Sequence, residues 1–341
     1  MVCYAIFGTA IFLLATRPSY ELDKGDAVLR KSILPALWEE FRRWWERRKT
    51  HFPKRQNLLT FAIFAIAIWV GFRFWNSQNQ LLRVTMMDVG QGESILIRSP
   101  QNRVVLIDGG NSTTSGARSD VGQSVIVPYL QTAGVRKIDV LIITHADADH
   151  CNGLLQVVRE VPIDLVLDGA IGDSVIAPEY TELKREILRM KIPYARAQSG
   201  QKLDLGDADL SVLAPLLPLQ KSDNNNAAVL RLDYGQTSFL LTADIEKETE
   251  ERLVRRGANL KCTFLKVAHH GSQTSTTPLF LKAANPQAAI ISCGRYNRHK
   301  HPEKGVLQRL LQRKINVFRT DLDGAIEISS DGKNSWVQTM R

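Results

Sequence analysis

Cysteine is scarce in this sequence: Cys3, Cys151, Cys262 and Cys293 are the four in 341 residues. They are too few and too scattered for a disulfide scaffold or a Cys-rich zinc module. A phosphate-cradling P-loop is missing too, because the glycines of DVGQG (88–92) are not followed by Lys and Ser or Thr. No internal repeat stands out, and the Asn run at 224–226 is too short to count as low complexity. Histidine is absent from 151 to 268. Apolar side chain is plentiful, at 44% of residues, which is enough to build a core and argues against disorder.

The formal charge is +9, but it is unevenly spread. Residues 1–80 hold 12 Lys and Arg against 6 Asp and Glu, whereas residues 81–341 hold 32 against 29. Overall basicity is therefore weak evidence for nucleic-acid binding.

The first 80 residues read as a membrane region. Two apolar runs, 2–16 and 58–75, are expected to be helices that enter or span a bilayer, the second with Arg73 near its end. The first has no positively charged leader, so a signal peptide fits poorly, and the last helix of a longer membrane protein fits better. Between the runs, Arg17 to Asn57 carries 11 Lys and Arg, and LWEEFRRWWERRK (37–49) suits an amphipathic interfacial helix. The positive-inside rule puts this loop in the cytoplasm and, with two spans, everything after residue 76 on the outer face.

After the NSQNQ linker (76–80) the sequence changes to short β-rich runs separated by turns. Strands are expected at 81–87, 94–98, 103–107, 138–144, 164–167, 210–213, 228–232, 238–242, 263–267 and 288–292. Helices are expected at 121–132, 179–190, 246–256, 278–284 and 303–312. This mixture suggests sheets covered by helices.

Six of the seven histidines follow, or lie close to, the end of an expected strand. THADADHCNG (144–153) offers His145, Asp147, Asp149 and His150 within six residues. Imidazole and carboxylate suit divalent metals, and so many adjacent donors would waste desolvation energy without a cation between them. A helix cap would need one Asp, not the set. Asp244 follows another apolar strand. His269 and His270 follow a third, and strand alternation brings one of them to the site. His299 and His301 lie in a basic stretch, Lys282 to Arg319, with nine Lys and Arg and a single acid, Glu303. That stretch would attract phosphates, with Arg309 and Arg313 on one helix face; an ordinary solvated basic surface reads the same way. Cys151 reads as a small buried helix residue, not a ligand.

These residues resemble the metallo-β-lactamase superfamily, whose motifs are His-x-[His/Asp]-x-Asp-His, a later Asp after a strand and a later His after another. A narrower likeness joins MDVGQGES (87–94), VVLIDGG (104–110), THADADHCNG (144–153), NNAAVLRL (225–232), LLTADIE (240–246), LKVAHHGSQTST (265–276) and HP (301–302). In that order they resemble the C-terminal domain of the ComEC family of competence proteins, the inner-membrane channels of DNA uptake, over about residues 81–340.

The resemblance implies an α/β fold. Residues 81–341 would form an αββα metallo-β-lactamase sandwich, two mixed sheets back to back with metals at one edge, preceded by one or two transmembrane helices within 1–80. It implies two divalent metals, Mn²⁺ or Zn²⁺ with Mg²⁺ as a further candidate. His145 and Asp147 would serve one, Asp149, His150 and His269 the other, and Asp244 both. Asp149 or Asp244 would orient the nucleophile, and His301 would donate a hydrogen bond or proton to substrate. The superfamily's further His between the first loop and the later Asp is missing; Asp223, Asn224 or Asn226 are substitutes in oxygen, and a single tightly bound metal is the other outcome. The implied activity is a membrane-anchored nuclease acting on DNA phosphodiesters during natural transformation, at the inner membrane with its domain on the outer, periplasmic face. Its partners would be DNA, the membrane and other uptake-channel components. The alternatives are a β-lactam or thioester hydrolase, or a non-catalytic DNA-binding partner of a channel.

Overall fold

The structure, a computed structural model, describes residues 39–40, 42–43, 46–47, 54–78, 81–111, 120–170 and 177–341. The chain divides into two compact units, Met1–Asn79 and Gln80–Arg341.

In the first unit a helix covers Lys54–Gln78. The apolar run 2–16 lies outside the described residues. The run 58–75 falls within the helix, yet among the described residues no helix is long and apolar enough to cross a membrane. Polar and charged residues, Lys54 to Asn57 and then Arg73, close in on both ends of the run. The uncharged part, Leu58 to Phe72, would extend about 22 Å as a helix, short of a hydrocarbon core of about 30 Å.

The second unit is built from two sheets. The first runs in the order β15-β14-β1-β2-β3-β4-β5-β6. Its strands are β1 (Leu82–Met86), β2 (Ile95–Arg98), β3 (Val104–Ile107), β4 (Ile138–Ile143), β5 (Ile163–Asp168), β6 (Tyr194–Arg196), β14 (Ile326–Ser330) and β15 (Ser335–Thr339). The second runs β13-β12-β11-β10-β9-β8-β7. It comprises β7 (Lys202–Asp204), β8 (Asp209–Ala214), β9 (Val229–Tyr234), β10 (Thr237–Leu241), β11 (Phe264–Lys266), β12 (Ala288–Ile291) and β13 (Asn316–Arg319). β3 to β6 are mutually parallel, as are β10 to β13, and the remaining pairs are antiparallel.

Period-two alternation decides which side chains meet. Ile95 and Ile97 of β2, Phe239 and Leu241 of β10 and Ile290 of β12 point between the sheets and form one core. Phe239 pairs in register with Phe264, and the rings stack at 5.1 Å. The opposite faces carry their own cores. Leu96, Leu106 and Leu141 pack under helices Val127–Thr132, Leu154–Glu160 and Pro178–Arg189. Leu240, Leu265 and Ile291 pack under Lys247–Arg255, Pro278–Ala284 and Lys304–Gln312. Burying each such Leu, Ile or Phe is worth about 1.5–3 kcal/mol. The layers are αββα.

The expected strands and helices are found with shifts of a residue or two at their ends. β6, β7, β13, β14 and β15 had no expectation. They are short, half exposed or, as in IEISS of β14, alternate apolar with polar residues, so no continuous apolar run announces them. The parallel strands β3, β4, β10, β11 and β12 deliver their following loops to one edge of the sandwich.

Candidate metal centre

β4 is a covered central strand, and its end fixes the first loop. Asp147 is extended and opens a short helix, Ala148–Cys151, which carries Asp149 in its first turn and buries His150. The loop is clamped from the side. Glu93 N–H donates to the Asp149 carbonyl (3.1 Å), and Gly92 lies so close that an added Cβ would stand 2.4 Å from that carbonyl oxygen. With φ at +139°, position 92 requires glycine on both counts.

Asp108, just past β3 and fully buried, organises the interior of this loop. It accepts from Thr144 N–H (2.8 Å) and Thr144 Oγ1 (2.6 Å), and its Oδ2 lies 2.6 Å from His150 Nδ1. This contact fixes the His150 ring and leaves Nε2 facing the opposite way, a carboxylate–imidazole arrangement typical of metal-ligating histidine.

The second sheet supplies the other side. Asp244, beyond β10, places Oδ1 3.4 Å from His150 Nε2 and Oδ2 3.3 Å from His270 Nε2. His270 Nδ1 is anchored on the Ser292 carbonyl (2.8 Å), and its Nε2 lies 3.2 Å from Asp149 Oδ2. One donor atom each of Asp149, His150, Asp244 and His270 lies within 4.8 Å of all the others. His150 Nε2, His270 Nε2 and Asp244 Oδ1 are buried without a hydrogen-bond partner, as is His145 Nε2 beside them. Orphaned imidazole nitrogens around a carboxylate are costly unless they face a cation, so the residues fit a divalent metal.

The structure thus brings Asp149, His150 and Asp244 together, with His270 as the fourth member. His269 stands just outside: its Nε2 is 3.9 Å from Asp244 Oδ2, and its side chain is 23% exposed against 1% for His270. Alternation could not choose between them, because both adopt left-handed backbone (φ 51° and 53°), which ends the strand pattern. His145 and Asp147 form a neighbouring pair, Nε2 to Oδ2 3.6 Å, with the His145 ring 4.1 Å from that of His150. Among the oxygens considered as a further ligand, the Asn226 amide is already engaged by Gln220 through two bonds. Cys151 is buried, its thiol donates to the His145 carbonyl, and burial pushes its pKa well up.

Charge holds the cluster together. Burial opposes a charge on His150, but Asp244 and Asp108 outweigh it and lift its pKa well above the ordinary imidazole value. Burial likewise opposes a charge on His270, and Asp244 and Asp149 overcome this to lift it to about 9. Burial favours the neutral acid at Asp149 and Asp244; the two imidazoles outweigh it and hold both carboxyls well below the usual range. For His301, burial and the adjacent His270, His269 and His299 push the pKa down to about 4. Its ring, 5.7 Å from that of His269, is therefore neutral near pH 7 and suited to hydrogen bonding more than to proton donation.

A buried ion pair that sequence reasoning passed over underlies Asp244. Lys266 and Glu93 are both fully buried and in direct contact. Lys266 Nζ donates to the Ala243 carbonyl (3.2 Å) and stands 3.8 Å from Asp244 Oδ1. Burial lowers the Lys266 pKa, but Glu93 and Asp244 reverse the effect and keep it an ammonium. The quoted motifs contain both residues, but only the fold shows that they meet. Arg309 and Arg313 have structural uses: Arg309 donates to the Thr276 and Ser275 carbonyls, and Arg313 to that of Pro278.

Residues 87–295 match the model of the metallo-β-lactamase superfamily. The chain belongs to that superfamily. Within it, the likeness is to ComEC-type competence proteins. It is 34% identical over 255 residues to ComE operon protein 3 of Bacillus subtilis, covering 72% of this chain and 32% of that protein. It is 34% identical over 276 residues to competence protein ComA of Neisseria gonorrhoeae, covering 81% and 36%. Recombination protein 2 of Haemophilus influenzae is 30% identical over 248 residues, 72% of this chain and 29% of that protein. The chain spans about a third of the length of these curated relatives.

Proposed function

We propose that this chain is a metal-dependent phosphodiesterase that cleaves DNA during its uptake into the cell. The observation that carries the reading is the convergence of Asp149, His150, Asp244 and His270 with their inward ring nitrogens unpartnered. The competence proteins among the relatives supply the DNA context.

Asp149, His150, Asp244 and His270 would hold one divalent cation, and His145 and Asp147 a second, shared through Asp244. The six donors are three imidazoles and three carboxylates, a mixed set that suits Mn²⁺ or Zn²⁺. Divalent cations there would polarise a phosphodiester oxygen and acidify water enough to attack near neutral pH. The chain's own contribution is orientation. Asp108 fixes the His150 ring, Ser292 fixes His270, and Asp147, with its carboxylate half exposed, lies on the side open to substrate. Neutral His301 is placed to donate a hydrogen bond to a phosphate oxygen.

Membrane attachment belongs to the same reading. On the helix Lys54–Gln78, Leu59, Phe61, Ile63, Ile66 and Trp69 are all exposed, an apolar surface that water tolerates poorly. The apolar run alone is too short to cross, but all 25 residues of the helix extend about 37 Å. With the charged residues Lys54 and Arg73 near its two ends, at the interfaces, it would span. The basic segment before it favours the cytoplasm, so a crossing puts residues 81–341 on the outer face. A periplasmic reporter fused after Arg341 should be active, and activity of a cytoplasmic reporter alone would refute the orientation.

The activity is tested with the full chain in detergent, Mn²⁺ and end-labelled DNA. Cleavage should require metal and be lost in Asp149→Ala. Equal, metal-insensitive background from both proteins would refute the nuclease.

A further inference from the structure

We infer that the loop Gly294–His301 is a binding site for single-stranded nucleic acid, with Tyr296 as a stacking platform beside the metal centre. The inference rests on the phosphodiesterase reading and names the strand form that the site takes.

Tyr296 is 89% exposed, the highest value among the exposed large apolar side chains described. An exposed tyrosine on a loose loop would mean little, but this loop is braced. The Asn297 side chain donates to the carbonyls of Gly294 and His301 (both 2.7 Å) and accepts from the His301 N–H (2.8 Å). One amide thus ties the two ends of the loop together across the turn that presents Tyr296.

Both ends also rest on the metal centre. At one end, Gly294 N–H donates to Gln91 Oε1 (3.1 Å), next to the Gly92 that packs on the Asp149 carbonyl. At the other, Pro302 packs against Gly271, the neighbour of His270, and Glu303 N–H donates to the Gly271 carbonyl (2.9 Å). The ring of His301 reaches the ring of His269 at 5.7 Å. The platform is therefore fixed relative to the catalytic groups.

Its charge completes the argument. Arg295, Arg298 and Lys300 flank Tyr296, and no acid occurs from 294 to 302. Arg298 and Lys300 are exposed and form no ion pair among the described residues, unlike the structurally engaged Arg309 and Arg313. An exposed ring bracketed by unneutralised cations has the chemistry that binds unpaired bases by stacking and their phosphates by charge. In a duplex the base faces are already stacked and unavailable to Tyr296. A single strand presents both groups at once.

Fluorescence anisotropy with the full chain in detergent and no added metal tests this, using labelled oligodeoxyadenylate and an abasic strand of equal length. Tyr296→Ala should weaken oligodeoxyadenylate binding about tenfold, within the usual range for loss of one stacked base. Tyr296→Phe should restore binding, and the abasic strand, with nothing to stack, should not distinguish the three proteins. Arg298→Ala should lower the salt slope for both strands by about one. Unchanged oligodeoxyadenylate affinity in Tyr296→Ala, or an equal loss on the abasic strand, would overturn the inference. Hydrolysis of bis(p-nitrophenyl) phosphate by the unaltered chain reads the phosphodiesterase separately, so the two ideas fail independently.

Discussion

His150 Nδ1 lies 2.6 Å from the carboxylate of Asp108, a residue outside the four-donor group that nonetheless determines how the centre is built. The same carboxylate holds Thr144 by its N–H and its hydroxyl. Asp108→Asn keeps the shape but removes the charge that orients and strengthens His150 as a donor. The expected outcome is a loss of Mn²⁺ affinity of roughly 10–100-fold with the fold retained. Isothermal titration and circular dichroism read the two parts.

The adjacent histidines separate by experiment. His270→Ala removes a buried member of the four-donor group, whereas His269→Ala removes a partly exposed neighbour. Elemental analysis after dialysis should show stoichiometric metal lost from the His270 variant and largely retained by the His269 variant. Equal loss from both would place His269 among the ligands.

Metal affinity should depend on pH with a definite sign. Without metal, His270 keeps its proton up to about pH 9, and His150 titrates well above its ordinary value. A cation needs both rings neutral, so binding must expel these protons and should tighten as pH rises from about 6 towards 9. Titrations in buffers of different ionisation enthalpy should detect the released protons. The linked effect on the metal-free fold runs the other way. Stability from the charged imidazoles is full below the unfolded value of about 6.5 and is lost as pH rises through about 9.

The Lys266–Glu93 pair should behave as a buried ion pair does. Lys266→Met leaves Glu93 buried and uncompensated, and urea unfolding should show a loss of about 3–5 kcal/mol. Adding Glu93→Met removes the orphan and should restore most of that stability. The double variant should still bind metal, because the ammonium 3.8 Å from Asp244 Oδ1 has the sign of the cation and does not attract it.

Much of this architecture is legible in the sequence where one physical rule dominates. β4 is covered on both faces, so IDVLII is apolar almost throughout, and the donors after it stand out. The hairpin partners β14 and β15, joined by residues 331–334, leave no such trace: β14 alternates apolar with polar residues, and β15 is largely exposed. His270 was not legible because two successive left-handed residues cancel the alternation that sorts a strand's side chains. Asp108 and Glu93 were hidden for another reason. Their partners, His150 and Lys266, lie far along the chain on other elements, and only folding makes the contact. The basic stretch before Arg319 divides only in three dimensions, into arginines that tie down carbonyls and cations left free beside Tyr296.

The most direct measurement is anomalous diffraction from crystals grown with Mn²⁺. A strong peak should appear enclosed by the side chains of Asp149, His150, Asp244 and His270. A peak remote from these four, or none at stoichiometric Mn²⁺, would contradict the proposed metal centre.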